Sequence, residues 1–177
     1  MSGIDLLKLI KKSWEFRKKQ NFSHVFMYEY DDKLHVSYVA KGSMGEREIT
    51  FAFTPSYVYD LFHGKENMPA RNVFWQYSKS DEAVKLCKSL EDAIDRYTDT
   101  AYVKIKQRNR YIKRDKFIVG LIIQRLTKSL TEWVLAGNVK PANTPIYAKY
   151  KKIATGRSVP GVCTGSMLES FHAVRAV

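Results

Sequence analysis

The sequence predicts a protein of the α+β class, in which an antiparallel β-sheet of three to five strands is covered on one face by helices. Three observations support this class. Apolar and polar residues alternate between residues 23 and 53, as they do along strands. Apolar residues instead recur every three or four positions in residues 81–97 and 117–134, as they do along helices. The length of 177 residues is sufficient to bury one sizeable hydrophobic core.

The first predicted element is an amphipathic helix over residues 3–20. Ser2 begins a sequence that resembles a helix-capping box, and Ile4, Leu7 and Ile10 share one face of the helix. Most lysines of this segment fall outside that apolar face. Two interpretations stay open: the apolar face docks on the rest of the protein, or the basic face lies on a membrane surface.

The alternating segment is predicted to form a three-stranded antiparallel meander. Turns are expected at Asp31-Asp32 and at residues 42–45, where polar residues and glycines interrupt the alternation. The first strand carries three aromatic residues on one face: Phe26, Tyr28 and Tyr30. Such a row either packs in the core of a sheet or provides rings on which nucleic-acid bases stack.

Three further elements are expected after the meander. A short helix follows Thr54 and Pro55, which suit the N-cap and the first helical position, and Gly64 ends it. Residues 73–77 are a candidate for a short fourth strand. Ser80 is expected to cap the longer helix that follows, and two acidic residues in its first turn suit the helix dipole.

The second half of the chain is predicted to contain a central buried helix and a C-terminal arm. Asp115 is the expected N-cap of this strongly apolar helix, and Gly137 is expected to end it. Beyond it, Pro, Gly, Ser and Thr replace the periodic apolar spacing. We therefore expect residues 1–137 to form a single α+β domain and residues 138–177 to form a basic arm. The arm is expected to be extended, apart from one or two helical turns within residues 166–174.

The positive charge of the protein is concentrated in its second half. The chain has 30 Lys and Arg residues and 18 Asp and Glu residues, which gives a net charge of +12. Residues 1–100 contain 15 basic and 15 acidic side chains, whereas residues 101–177 contain 15 basic and 3 acidic ones. This asymmetry is typical of a protein that binds a polyanion, either nucleic acid or an anionic membrane surface. Charge of this kind also serves solubility.

Residues 102–111 are predicted to form a strand with a row of cations on one face and with Val103 and Ile105 on the other. The four cations in this row are Lys104, Lys106, Arg108 and Arg110. They repel one another unless an anion such as a phosphate backbone neutralises them. A solvated edge strand and a helix running from residue 99 to residue 136 are the two alternatives.

Further cations and tyrosines extend this predicted nucleic-acid interface. The next two basic residues along the chain are Lys113 and Arg114. The C-terminal arm adds Tyr147, Lys149, Tyr150, Lys151, Lys152 and Arg157. Lysine and arginine bind phosphates, and tyrosine rings stack on bases.

No catalytic residue, metal site or cofactor is expected from the motifs. Residues 156–161 have the glycine spacing of a phosphate-binding loop, but Val162-Cys163 occupies the place of the required Lys-Ser/Thr pair. The four histidines and two cysteines lack the spacing of zinc ligands and are too few for a disulfide scaffold. No secretory signal or membrane-spanning apolar run is recognised, so we expect a cytoplasmic, nuclear or virion location.

The sequence thus predicts a non-catalytic protein that binds RNA or single-stranded DNA with little sequence preference. The alternative is a self-assembling structural protein of the viral matrix or coat type, whose basic half contacts the genome or an anionic membrane. Either function is compatible with the homo-oligomer that we expect.

Overall fold

The computed structural model describes residues 22–43, 45–97, 100–105, 110–156, 158 and 166–176. These residues form the predicted α+β structure, with a four-stranded antiparallel sheet, a separate two-stranded hairpin and helices. The helix predicted over residues 3–20 lies outside the described residues.

The sheet consists of the predicted meander and one strand from the end of the chain. Its strands are β1 (His24–Tyr30), β2 (Lys33–Val39), β3 (Arg47–Ala52) and β6 (His172–Ala176), in the order β1-β2-β3-β6. Asp31 and Asp32 form the turn between β1 and β2, as expected, with φ angles of 52° and 56°. Aspartate tolerates this left-handed conformation better than most residues, and two such residues match the twist of a tight hairpin.

Alternation along the meander gives the sheet one apolar face and one mixed face. The apolar face is buried beneath the helices and carries Val25, Met27, Leu34, Val36, Ile49 and Phe51. The mixed face carries Phe26, Tyr28, His35 and Glu48. Helices therefore cover one face of the sheet, as predicted.

Helix α3 (Asp81–Asp95) confirms the expected cap and stripe. The Ser80 hydroxyl accepts a hydrogen bond from the Ala83 backbone N–H at 3.2 Å. The buried residues of α3 are Ala83, Leu86, Leu90, Ala93 and Ile94. Each fully buried leucine of this kind contributes about 1.5–3 kcal/mol to the free energy of unfolding.

The two short elements before α3 differ from the prediction. Residues 73–77 belong to a helix, α2 (Val73–Ser78), because the Asn72 side chain caps the Trp75 backbone N–H at 3.0 Å. One helical face of α2 is then buried in the core. Helix α1 (Tyr57–His63) begins later than expected, since Thr54 does not cap it, and ends at the predicted Gly64.

The basic segment forms a hairpin in place of the predicted single strand or the alternative helix. Strands β4 (Tyr102–Ile105) and β5 (Arg110–Lys113) pair antiparallel. Residues 106–109, which include the predicted phosphate ligands Lys106 and Arg108, lie outside the described residues. Alternation with period two is the same in one long strand and in two paired strands, so the sequence pattern does not separate them.

Helix α4 (Arg114–Leu135) follows the hairpin and is the predicted central helix. It begins one residue before Asp115, so Asp115 lies in its first turn and does not cap it. Its fully buried positions recur mainly every fourth residue, at Ile118, Ile122, Leu126 and Leu130. Gly137, with a φ angle of 81°, follows the helix as expected.

The residues of the predicted arm contain regular structure that the sequence pattern did not predict. Helix α5 (Pro145–Thr155) begins after Thr144, whose hydroxyl accepts the Tyr147 backbone N–H, so the extended conformation expected here is wrong. The predicted helical turn is present as α6 (Ser166–Glu169), but the chain then continues as strand β6. This strand pairs with the edge of β3, which would otherwise expose unpaired backbone groups. The division into a domain and an arm stays a prediction.

Candidate nucleic-acid interface

The outer face of the β4–β5 hairpin consists of Tyr102, Lys104, Tyr111 and Lys113. Tyr102 lies opposite Lys113, and Lys104 lies opposite Tyr111. Tyrosines and lysines therefore alternate both along each strand and between the strands. The tyrosine side chains are 57% and 64% exposed, and both lysines are exposed as well. This face presents ring surfaces and positive charges to solvent within one small area.

The inner face of the hairpin holds it on the protein. Val103 is buried and lies opposite Ile112, which is half-buried with Ile105. Arg110 lies opposite Ile105 and therefore belongs to this inner face, although its side chain is exposed. The predicted row of cations is thus wrong in one respect: Arg110 lies on the opposite face from Lys104. A hairpin register, and not sequence spacing, determines which cations share a face.

Positive groups are also concentrated at the N-terminus of α4. Lys113, Arg114 and Lys116 lie in or next to the first turn, and the Lys113 side chain makes no capping hydrogen bond. Asp115 is the acidic residue of this turn, and its carboxylate is 3.0 Å from Arg47. Cations at the positive end of a helix dipole are unfavourable to folding, whereas an anion bound there is favourable.

The aromatic row on β1, for which core packing and base stacking were the two alternatives, is only partly accessible to solvent. Phe26 and Tyr28 are half-buried, and Tyr30 is exposed. The Tyr28 ring stacks on His35 with 4.9 Å between centroids, and its hydroxyl donates to Glu48 at 2.6 Å. Burial, and next the contact with Glu48, raise the pKa of Tyr28.

The Glu48 carboxylate makes this face of the sheet unsuitable for phosphate. Although burial by itself opposes ionisation, hydrogen bonds from Tyr28, His35 and Ser37 hold the pKa of Glu48 below its ordinary value. A carboxylate kept in its charged form repels a nucleic-acid backbone at short range. Tyr30 is the member of the row whose ring is accessible for stacking.

The tyrosines and lysines predicted in the arm belong to helix α5. Tyr147, Lys149, Tyr150 and Lys152 are exposed, whereas Lys151 is buried on another side of the helix. Arg157 lies outside the described residues. The helix also presents a stripe that was not predicted: Ile146, Tyr150 and Ile153, which are 85%, 68% and 78% exposed. Their spacing of four and three residues places them on one side of the helix.

Sequence analysis missed Tyr102 and Tyr111 as members of the interface. Both tyrosines flank the basic segment. The Tyr-x-Lys spacing, which occurs at residues 102–104 and again at 111–113, was the sequence feature that could have indicated them. Their position on one face follows from the pairing of the two strands, which spacing within one strand does not reveal.

The described residues form neither a candidate metal site nor a helix that could span a membrane. No group of three or more His, Cys, Asp or Glu side chains in the described ranges is arranged to hold a metal ion. Among the helices of the same ranges, none is long and apolar enough to cross a membrane. Comparisons of the chain with protein-family models, with curated proteins and with solved structures find no significant match.

Proposed function

We propose that the protein binds single-stranded RNA or DNA with little sequence preference through the outer face of the β4–β5 hairpin. The observation that carries this proposal is the cross-strand arrangement of two exposed tyrosines and two exposed lysines on one face. Every base has a ring face that stacks on tyrosine, and every nucleotide has a phosphate that binds lysine. Such a surface contacts nucleic acid without reading its sequence.

Single strands are favoured over duplexes because stacking on a protein ring requires an unpaired base. The N-terminus of α4 supports the proposal from the adjacent segment, since Arg114 and Lys116 add charge there. The net charge of +12 also favours association with a polyanion. Tyr30 lies on the four-stranded sheet, whereas β4 and β5 form a separate two-stranded sheet, so Tyr30 is not part of the proposal.

The test is binding of fluorescently labelled oligouridine and oligoadenine to the full chain at several salt concentrations. Stacking on each tyrosine is worth about 1–3 kcal/mol, so replacing both Tyr102 and Tyr111 by alanine should weaken binding at least tenfold. The matched control replaces Lys85 and Lys88, two exposed lysines of α3, by alanine. Equal binding by the tyrosine variant and by the unaltered protein would refute the proposed interface.

Helix α5 favours a second candidate, the self-assembling structural protein that contacts an anionic membrane. The stripe formed by Ile146, Tyr150 and Ile153 is exposed, and Lys149 and Lys152 are exposed on the same helix. The helix contains no acidic residue. An apolar stripe with neighbouring lysines is the pattern of a helix that lies at the surface of an anionic bilayer.

Vesicle flotation tests the second candidate. We expect binding to vesicles that contain phosphatidylserine and no binding to vesicles of phosphatidylcholine alone. Replacing Ile146 and Ile153 by aspartate should abolish flotation without affecting oligonucleotide binding. Sedimentation of the protein with and without an oligonucleotide measures the expected homo-oligomer and shows whether nucleic acid drives assembly. Absence of flotation together with a monomeric protein would exclude the membrane-associated structural role.

A further inference from the structure

A cavity of about 750 Å³ opens between helix α1, the loop of residues 65–72 and the start of helix α5. This volume lies within the range of roughly 300–1,000 Å³ that is typical of small-molecule sites. Two basic residues of its wall, Arg71 and Lys151, are only 7% and 5% exposed. The cavity contains none of the residues of the hairpin outer face.

The positively charged guanidinium of Arg71 is buried, and the groups that it contacts carry no negative charge. Its Nε donates to the Pro141 carbonyl oxygen at 2.7 Å, and one terminal nitrogen donates to the Asn143 side-chain oxygen at 3.5 Å. Both acceptors are neutral, and desolvation by burial lowers the pKa of Arg71. Burying a guanidinium charge is costly unless an anion accompanies it. The remaining N–H groups of the guanidinium suit the oxygens of a phosphate or carboxylate.

Other groups around the cavity also favour an anion. Thr144 and Tyr147, at the N-terminus of the 11-residue helix α5, line it and bring the positive end of that helix dipole to the wall. Asp60 is the acidic residue of the described lining, and its carboxylate is engaged with Lys65 at 3.4 Å. The charge of Asp60 is therefore balanced by a lysine next to the cavity, whereas the contacts of the buried Arg71 are neutral.

Aromatic and apolar residues form another part of the wall, beside the polar side chains of Asn67 and Ser166. They include the exposed Tyr57 and Tyr147, together with Leu61, Met68 and Pro69. Aromatic and aliphatic side chains of this kind accommodate a planar ring. A ligand that matches this lining thus carries both an anionic group and a flat ring.

We infer that this cavity binds a nucleoside monophosphate group, with its phosphate at Arg71 and Lys151 and its base against the tyrosines and the apolar wall. The group has two sources: a free nucleotide, or the phosphorylated end of a strand. The cavity is separate from the outer face of the β4–β5 hairpin. Binding in the cavity therefore requires neither the lysines nor the tyrosines of that face.

Calorimetric titration of the full chain with adenosine monophosphate, adenosine and inorganic phosphate tests the inference. We expect the monophosphate to bind at least tenfold more tightly than either adenosine or phosphate alone. Equal affinity for the monophosphate and adenosine would refute the role of the phosphate. Binding of phosphate as tight as that of the monophosphate would refute the role of the base. A dinucleotide with and without a 5′-phosphate distinguishes the strand end from the free nucleotide as the natural source.

Three variants locate the site. Arg71→Gln should reduce affinity for the monophosphate at least tenfold, and Tyr147→Ala, at an exposed position, should reduce it without altering thermal melting. Lys149→Gln, on the same helix but outside the cavity lining, is the matched control and should bind normally. If Arg71→Gln fails to fold, Tyr147→Ala decides the question, and unchanged binding by it would overturn the inference. The tyrosine-to-alanine variants of the hairpin should still bind the monophosphate, which separates this site from the proposed interface.

Discussion

Lys104 lies directly opposite Tyr111 in the β4–β5 hairpin, and its Nζ is 5.9 Å from the centroid of the Tyr111 ring. This distance is at the outer limit of a cation–π contact, so the contact contributes little to stability in the isolated protein. Both groups are exposed and remain accessible to a ligand. In the proposed interface, a lysine and a tyrosine held this way would present a charge and a ring to the same nucleotide.

Salt dependence is the first prediction. Affinity for a single strand should fall with salt, with a log–log slope of about −0.7 for each phosphate contact. Replacing Lys104 and Lys113 by alanine should therefore reduce the magnitude of the slope by about 1.4. Fluorescence titrations between roughly 50 and 300 mM salt measure it. The control with Lys85 and Lys88 replaced should keep the slope of the unaltered protein, and a common slope for all three proteins would contradict the interface.

The two faces of the hairpin should respond oppositely to a new carboxylate. Lys104→Glu places it on the exposed face, so folding should be unaffected while oligonucleotide binding is severely weakened. Val103→Asp places it at a buried position, which should lower the free energy of unfolding by more than about 3 kcal/mol. Thermal melting and binding measured on both variants make the comparison. Equal loss of stability in the two variants would mean that the hairpin faces are assigned wrongly.

The C-terminal strand should be necessary for the fold. Phe171 is buried, and its ring stacks on Phe51 with 5.2 Å between centroids. Phe171→Ala should lower the free energy of unfolding by about 3–5 kcal/mol, because it leaves a cavity in the core. Val174→Ala, at an exposed position of strand β6, which begins directly after Phe171, is the control and should change it by less than about 0.5 kcal/mol. Chemical denaturation measures both values.

A truncation tests the predicted division into a domain and an arm. Deletion of residues 166–177 removes α6, β6 and three buried core residues: Met167, Leu168 and Phe171. We expect the shortened protein to lose cooperative unfolding, as followed by circular dichroism and calorimetry. Cooperative melting near the temperature of the full chain would show that residues 1–165 fold without this segment, as an arm that is separate from the domain would allow.

Glu48 should make stability sensitive to acid. Its pKa in the folded protein lies below the ordinary value of 4.5, so it contributes stability that is present above about pH 4.5. This contribution is lost as the pH falls through the lowered pKa of the folded state. Glu48→Gln should therefore flatten the fall in melting temperature as the pH is lowered below about 4.5. Glu66→Gln, in an exposed loop, should keep the original pH profile, and an unchanged profile for Glu48→Gln would contradict the assignment.

Local patterns were sufficient for the meander and for helix α3. Side chains alternate along every strand, so the apolar and mixed faces of β1–β3 follow from the order of residues. Ser80 caps α3 through a backbone group three residues away, which is an interaction within the reach of a local pattern. The same reasoning failed at residues 73–77, because a run of five residues, four of them apolar or aromatic, is compatible with either a strand or a helix.

The composition of the candidate sites depended more on pairing between distant segments than on local sequence patterns. The sequence indicated that residues 104–114 are basic, but the register between β4 and β5 determined that Lys104 and Lys113 share a face with two tyrosines. No sequence pattern indicated that Arg71 lines a site, since Arg71 lies in a loop. Its contact with Pro141 joins residues 70 positions apart. Lys151 was predicted as an exposed phosphate ligand, but helix α5 turns it toward the interior.

The class of the fold, the faces of the meander and the location of the positive charge could be predicted, because these properties follow from residue types and short-range periodicity. Three features emerged only from the folded chain: the hairpin of the basic segment, the pairing of β6 with β3, and the cavity that Arg71 and Lys151 line together. These features depend on hydrogen bonding and burial between segments that are far apart in the chain. Two segments with the same local pattern therefore form different structures, depending on which unpaired strand edge they pair with or which exposed apolar surface they pack against.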